Sequence, residues 1–254
     1  LIPSPRNRPG NQFRNALSYL QQRFSLALLK HSSDVILVLN PFVKHQLQEM
    51  GFRPGSIHIV SGGIDYNAIK AVKAPAQAYE GISLGRIHPA KGSLELLEIW
   101  KRVCERRPDA KLVIIGEGDQ AFVQEVKDRI EHLNLSPNVE LTGFLDVAQV
   151  IQTMKASKLF VAPSREEGWG IAVCEAMACG LPVVAYDLPA YHNFYGINRV
   201  PMGDMDEFAG VILRLLSDES LRRRQGQQVE HVAARYDWEK VAGRELNILE
   251  QLIS

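Results

Sequence analysis

Short apolar runs alternate along the chain with longer stretches in which apolar residues return every three or four positions. The runs are VILVL (35–39), IHIV (57–60), GISLG (81–85), KLVIIG (111–116), VELTG (139–143), KLFVAP (158–163) and PVVAY (182–186). They are rich in β-branched residues and mostly too apolar to leave one face in water, so they predict buried strands. Helical patterns lie between most of them. The alternation predicts an α/β fold of βα units, with a parallel sheet covered by helices on both faces.

The rhythm breaks at DYNAIKAVKAPAQAYE (65–80), a polar stretch containing alanine and proline that reads as an interdomain linker. Two predicted strands and one long helical pattern precede it, too little for an independent doubly wound domain. Residues 1–66 therefore read as the closing part of an N-terminal domain whose beginning is missing. Residues 67–235 read as a Rossmann-like domain. Residues 236–254, with apolar positions at helical spacing around Trp238, read as a terminal helix packing back across both.

Composition excludes several classes of function. The 254 residues are 46% hydrophobic, ample for a packed core, and a formal net charge of zero offers no global positive field for nucleic acid. The apolar runs fall far short of the roughly 20 residues a membrane-spanning helix requires. LIPSPRNRPGNQ, at the start, lacks the apolar stretch of a secretory signal, so a cytoplasmic protein is expected. FRNALSYLQQRFSLALLK is amphipathic and carries Arg14, Arg23 and Lys30. It reads as a packed helix of the incomplete domain, with a peripheral seat on the inner membrane face as the alternative.

Cys104, Cys174 and Cys179 are odd in number and lack CxxC spacing, which points to reduced thiols in apolar settings. The seven histidines are scattered without metal-ligand spacing. Asp204 and Asp206 form a D-x-D, but Glu207 three residues after Asp204 fits a helix capping box, so no metal is expected.

Ligands of open α/β sheets gather at the carboxyl ends of the strands. After GISLG comes RIHPAKGS, where Arg86 offers a forked contact to phosphate oxygens and Lys91 a point charge. Two solvated surface cations are the alternative. After KLVIIG, Gly116 and Gly118 flank Glu117, which suits either a nucleotide turn or an ordinary tight turn. The third loop opens PSREEGWGIAVCEAMACGLPVVA (163–185), with Gly168 and Gly170 in what reads as the first turn of a helix.

Glycine costs about 1 kcal/mol relative to alanine in a helix interior, so the pair asks for a reason. Ser164 and Glu167 fit a capping box, but that leaves the glycines unexplained. Glycines there would let an anion reach outward-pointing N–H groups at the positive end of the helix dipole, and a diphosphate suits that place. Glu167 and Glu175 are eight positions apart, and eight helical residues rise roughly 12 Å. They would grip opposite ends of an extended ligand, as a sugar nucleotide is laid out.

Together these stretches resemble the family 4 (group 1) retaining glycosyltransferases, which have the two-domain GT-B fold. PSREEGWGIAVCEAMACGLPVVA is similar to their E-x7-E signature, GISLGRIHPAKG to their arginine and lysine phosphate loop, KLVIIGEGD to the following strand and turn, and VLNPFVKHQLQEMGF with SGGID to the last strand and turn of their N-terminal domain. The resemblance covers nearly the whole chain from Val35 onward. It implies transfer of a sugar from a nucleotide donor, with retention at the anomeric carbon, to a saccharide or lipid-linked acceptor. No metal or other cofactor is implied, and a UDP- or GDP-sugar is expected ahead of an ADP-sugar.

By position, the resemblance makes Glu167, Arg86 and Lys91 catalytic. Arg86 and Lys91, beside Gly85, would hold the diphosphate, Glu167 would contact the sugar, and Glu175 would bind the ribose hydroxyls. Gly168, Trp169 and Gly170 would line the sugar and phosphate pocket, Gly143, Phe144 and Leu145 the base, and Gly116, Glu117 and Gly118 the nucleotide cleft. The chain departs from the family at LPAYHNFYG, where many members carry an acidic residue, and in lacking most of the N-terminal domain. A rival reading is therefore a non-catalytic nucleotide-sugar-binding module completed by a partner chain or oligomer. A GT-B epimerase or phosphorylase is a further rival, and the phosphorylase would need a lysine-bound pyridoxal group.

Overall fold

The structure, a computed structural model, describes residue 21 and residues 24–253. The opening proline- and arginine-rich segment, Arg14 and Arg23 lie outside the described residues. The chain divides into two compact units: a smaller one that ends at Ser61 and resumes at Glu245, and a larger one, Gly62–Arg244. Among the described residues, no helix is long and apolar enough to cross a membrane.

In the smaller unit a helical stretch through 24–32 precedes β1 (Ile36–Val38), α1 (Pro41–Glu49) and β2 (Ile57–Ile59), and the two strands pair in parallel. Asn40 starts α1 because its side chain accepts from the Val43 amide at 2.9 Å, and Pro41 takes the position where a missing N–H costs nothing. Val38, Phe52 and Ile57 form the small core.

The larger unit holds β3 (Tyr79–Leu84), β4 (Leu112–Ile115), β5 (Val139–Gly143), β6 (Ser157–Ala162), β7 (Val183–Tyr186) and β8 (Asn198–Val200). All pair in parallel, in the order β5-β4-β3-β6-β7-β8. Its helices are α2 (Tyr66–Ala71), α3 (Ser93–Arg106), α4 (Gln120–His132), α5 (Val147–Lys155), α6 (Ile171–Ala178), α7 (Met205–Ser217) and α8 (Glu219–Ala233), and α9 (Trp238–Ile253) begins within it.

Period-two alternation divides the strand residues between two cores. Ile82, Val113, Ile115, Phe160, Ala162, Val183 and Ala185 pack with α5, α6 and α8 on one face. Leu112, Ile114, Leu159, Val161, Val184 and Tyr186 pack with α3, α4 and α7 on the other. This is why the strand runs carry almost no polar positions. Trp100 of α3 is fully buried and fits because position 81 is glycine: a Cβ there would stand 2.7 Å from the indole ring.

Two elements differ from the sequence expectation. The stretch read as a linker contains α2, which forms because the Asp65 carboxylate accepts from the Ala68 amide at 3.0 Å and Ile69 is buried. An edge strand, β8, extends the sheet beyond β7. At three residues, two of them polar, it shows no periodicity, and Asn198 is fixed instead by donating from its side chain to the Val183 carbonyl at 3.0 Å.

Asp204 caps α7 by accepting from the Glu207 amide at 2.9 Å, whereas Asp206 pairs with Arg102 at 2.6 Å, so the two carboxylates of the D-x-D serve different partners. All three cysteines are free thiols. Burial pushes the Cys104 thiol up to about 11 and that of Cys179 up to about 12, away from the reactive thiolate form.

The strand order turns between β3 and β6, since the chain adds β4 and β5 on one side of β3 and returns to add β6 on the other. A crevice opens at the carboxyl ends of strands at such a point. The loops that follow β3 and β6 meet there.

Candidate functional site

Glycines let the loops at this edge lie backbone to backbone. A Cβ on Gly116 would stand 2.0 Å from the Gly85 carbonyl oxygen, and one on Gly118 would stand 2.1 Å from that of Ile87. The Gly116 amide donates to the Gly143 carbonyl at 2.9 Å, and the Ile87 amide donates to that of Glu117 at 2.8 Å. The loops after β3, β4 and β5 are thereby laid side by side, which gives GxG a cause beyond a tight turn.

Gly92, with φ +68°, joins the loop after β3 to the one after β6, where the Arg165 amide donates to the Ala90 carbonyl at 2.8 Å. A Cβ at position 92 would stand 2.1 Å from the Pro163 carbonyl oxygen. Gly92→Ala is therefore expected to destabilise the chain by about 2–5 kcal/mol, left-handed strain and overpacking combined, as urea unfolding would measure.

The helix start lies elsewhere than the sequence suggested. α6 begins at Ile171, with Gly170 as its N-cap at φ +99°. Gly168 and Gly170 thus precede the helix, because the left-handed backbone at Gly170 stops it from extending back. A Cβ on Gly170 would meet the Tyr191 ring at 2.8 Å, whereas around Gly168 the space is open. The expected capping box does not form: the Ser164 hydroxyl donates to Glu167 Oε1 at 3.1 Å. Since Glu167 stands in the loop and Glu175 in the second turn of α6, helical rise does not measure their separation.

Trp169 draws this loop inward. Its buried ring meets Phe194 and Tyr236 edge-on, at centroid distances of 5.2 and 5.3 Å.

The charges are arranged unevenly. The Lys91 ammonium pairs with Glu167 Oε1, and both side chains are largely buried. Arg86 is exposed and makes no ion pair or hydrogen bond among the described residues. Gly85, Arg86, Lys91, Ser164, Glu167 and Tyr191 line one narrow cavity. The half-buried Glu175 carboxylate has no partner among the described residues, and burial holds its carboxyl above the ordinary value.

Of the predicted residues, the structure brings Gly85, Arg86, Lys91 and Glu167 to one cavity. Gly116, Glu117 and Gly118, then Gly143, Phe144 and Leu145, follow at the same sheet edge, where the neighbouring strands β4 and β5 end. Phe144 is 72% exposed, an apolar ring presented to whatever occupies that edge. Tyr191, which sequence reasoning passed over, lines the cavity as well, and the only signal for it is the departure at LPAYHNFYG.

Residues 67–232 match the family model described as "Glycosyl transferases group 1". The chain belongs to this family. Among its relatives, a phosphatidyl-myo-inositol mannosyltransferase of Mycobacterium leprae is 33% identical over 174 residues, covering 66% of this chain and 45% of its own. A GDP-mannose-dependent monoacylated alpha-(1-6)-phosphatidylinositol monomannoside mannosyltransferase of Corynebacterium glutamicum is 32% identical over 176 residues, covering 65% and 45%.

The fold of HepE from Anabaena, solved in complex with UDP, matches this chain with a TM-score of 0.80 at 19% identity, covering 91% of this chain and 68% of HepE. A mutant of TarM from S. aureus, solved in complex with UDP and other ligands, gives a TM-score of 0.78 at 22% identity, covering 90% of this chain and 46% of TarM. These likenesses establish the GT-B fold. The chain spans about half the length of the curated relatives it matches.

Proposed function

We propose that this chain carries the donor-binding half of a retaining glycosyltransferase that moves a sugar from a nucleotide sugar to a saccharide or lipid-linked acceptor. The observation that carries the reading is Glu175, a half-buried carboxylate without a partner among the described residues, on the helix that starts beside the cavity of Arg86 and Lys91. Such a group costs free energy unless something completes it, and paired ribose hydroxyls do. Arg86 and Lys91 take the diphosphate, and the open N-terminus of α6 adds its dipole.

As the glycosidic bond breaks, negative charge grows on the departing nucleoside diphosphate. Fixed cations stabilise that charge without reorganisation, so the proposed reaction calls on no divalent metal. Glu167 faces the donor sugar, the segment from Gly168 to Gly170 lines its pocket, and Phe144 with Gly143 and Leu145 borders the base. UDP and GDP sugars are the preferred candidates: GDP-mannose occurs in the name of the Corynebacterium relative, and HepE was solved in complex with UDP.

A second reading is a module that binds the donor without carrying out the transfer by itself. Calorimetric titration with UDP, GDP, ADP and their glucose and mannose conjugates, in EDTA, tests both. Saturable binding that Arg86→Ala weakens is the expected result, and binding to none of them overturns the donor site. Release of free sugar from the bound donor by the chain alone favours the enzyme reading over the binding module.

A further inference from the structure

LPAYHNFYG is the segment at this sheet edge to which the proposed donor site gives no task. Tyr191 stands in it at the end of a short 3-10 turn (Pro189–Tyr191), with nothing of the residue exposed. Among the described residues its hydroxyl makes no well-formed hydrogen bond, although it lies near enough to Ser164 and Glu167 to feel both, in the cavity they share with Lys91. A buried hydroxyl left unpaired costs free energy that phenylalanine would avoid, so it calls for a state in which it is paired. The ring cannot turn away, because Gly170 lies against its edge and Phe194 beside it.

Glu167 supplies the other half. Lys91 and Ser164 both reach its Oε1, and Oε2 takes part in neither contact. On the donor reading, which this inference rests on, the diphosphate competes with Glu167 for the Lys91 ammonium. Once that ammonium turns to phosphate, a largely buried carboxylate is left with a single neutral donor.

We infer that Tyr191 is a positioning residue whose hydroxyl donates to Glu167 when Lys91 is drawn to the donor, holding that carboxylate toward the sugar. Burial first, and then the charge of Glu167, pushes the phenol's pKa up, so the group stays protonated and able to donate. Lys91 then serves both states, closing Glu167 in the free chain and gripping the diphosphate in the complex.

Calorimetry on the 254-residue chain, using UDP and GDP beside UDP-glucose and GDP-mannose, reads the consequence. Tyr191→Phe is expected to lower affinity for the nucleotide sugar about tenfold and affinity for the bare nucleotide by less, since the diphosphate draws Lys91 away in both but only the nucleotide sugar also meets the positioned carboxylate. Its melting temperature should not fall, since the lost hydroxyl was unpaired. In a Glu167→Gln background the same substitution should have no further effect. Equal losses for sugar-bearing and bare nucleotides, or a loss that persists with Glu167→Gln, would show a merely structural tyrosine.

A donor-free measurement separates this inference from the reading beneath it. Lys91→Met removes the competing ammonium, and the ¹³Cζ resonance of Tyr191, assigned by its loss in Tyr191→Phe, is expected to shift. It should not shift in Lys91→Met/Glu167→Gln. An unmoved resonance in Lys91→Met overturns the positioning role and leaves the donor site standing. Absence of nucleotide binding by the unsubstituted chain overturns the donor site, and this inference with it.

Discussion

Replacing Arg86 and Lys91 together by alanine is expected to lower affinity for UDP or GDP by about a thousandfold, whichever nucleotide the chain prefers. Each charge-assisted contact to phosphate contributes about 1.5–3 kcal/mol, and two of them at about 2 kcal/mol each give that factor. The single variants should differ in a way that reports their surroundings. Arg86 is exposed and unpaired among the described residues, so Arg86→Ala should weaken binding while leaving the melting temperature where it was. Lys91 is mostly buried against Glu167, so Lys91→Ala should weaken binding and also lower stability, because it leaves a largely buried carboxylate without its cation. Calorimetry paired with thermal unfolding separates the two. Undiminished binding in the double variant would remove the diphosphate from this loop.

The parallel sheet was legible because its strands are buried on both faces, which leaves runs such as KLVIIG and KLFVAP almost free of polar residues. The same reasoning could not find β8, whose three residues include Asn198 and Arg199 and which is held at the edge by a side-chain contact. The residues that converge on the cavity were legible for a different reason: positive charge, glycine and a strand end coincide at Arg86, Lys91 and Gly92.

The start of α6 was misplaced by an ambiguity internal to the sequence. Ser164 and Glu167 have the spacing of a capping box, and only the left-handed backbone at Gly170, fixed by the Tyr191 ring against it, turns the same letters into a loop. The departure at LPAYHNFYG marked the segment of Tyr191 but not the residue, because its importance lies in what its hydroxyl lacks. No spacing or composition announces an unpaired group in a buried place.

Glu175→Gln is expected to move stability and binding in opposite directions. Burial raises the carboxyl of Glu175 in the folded chain. A carboxyl whose folded value lies above its unfolded value favours folding while it is protonated, and that contribution is lost as pH rises through the folded value. At neutral pH the ionised group is therefore a cost that glutamine does not carry. The melting temperature of Glu175→Gln should exceed that of the unsubstituted chain at neutral pH, and the gap should close as the solution is acidified through the raised value. Nucleotide binding should fall by about tenfold to a hundredfold, since an amide offers one acceptor oxygen without charge where the carboxylate offered two to the ribose hydroxyls. Binding by the unsubstituted chain should weaken on acidification through the same range, because the protonated acid loses acceptor capacity. Inorganic diphosphate, which has no ribose, serves as the control: its affinity should be the same with Glu or Gln at position 175. If diphosphate binding fell as far as nucleotide binding, Glu175 would be acting on the phosphate end through the shape of α6. If neither fell while the melting temperature rose, the buried charge would belong to some ligand other than a nucleotide.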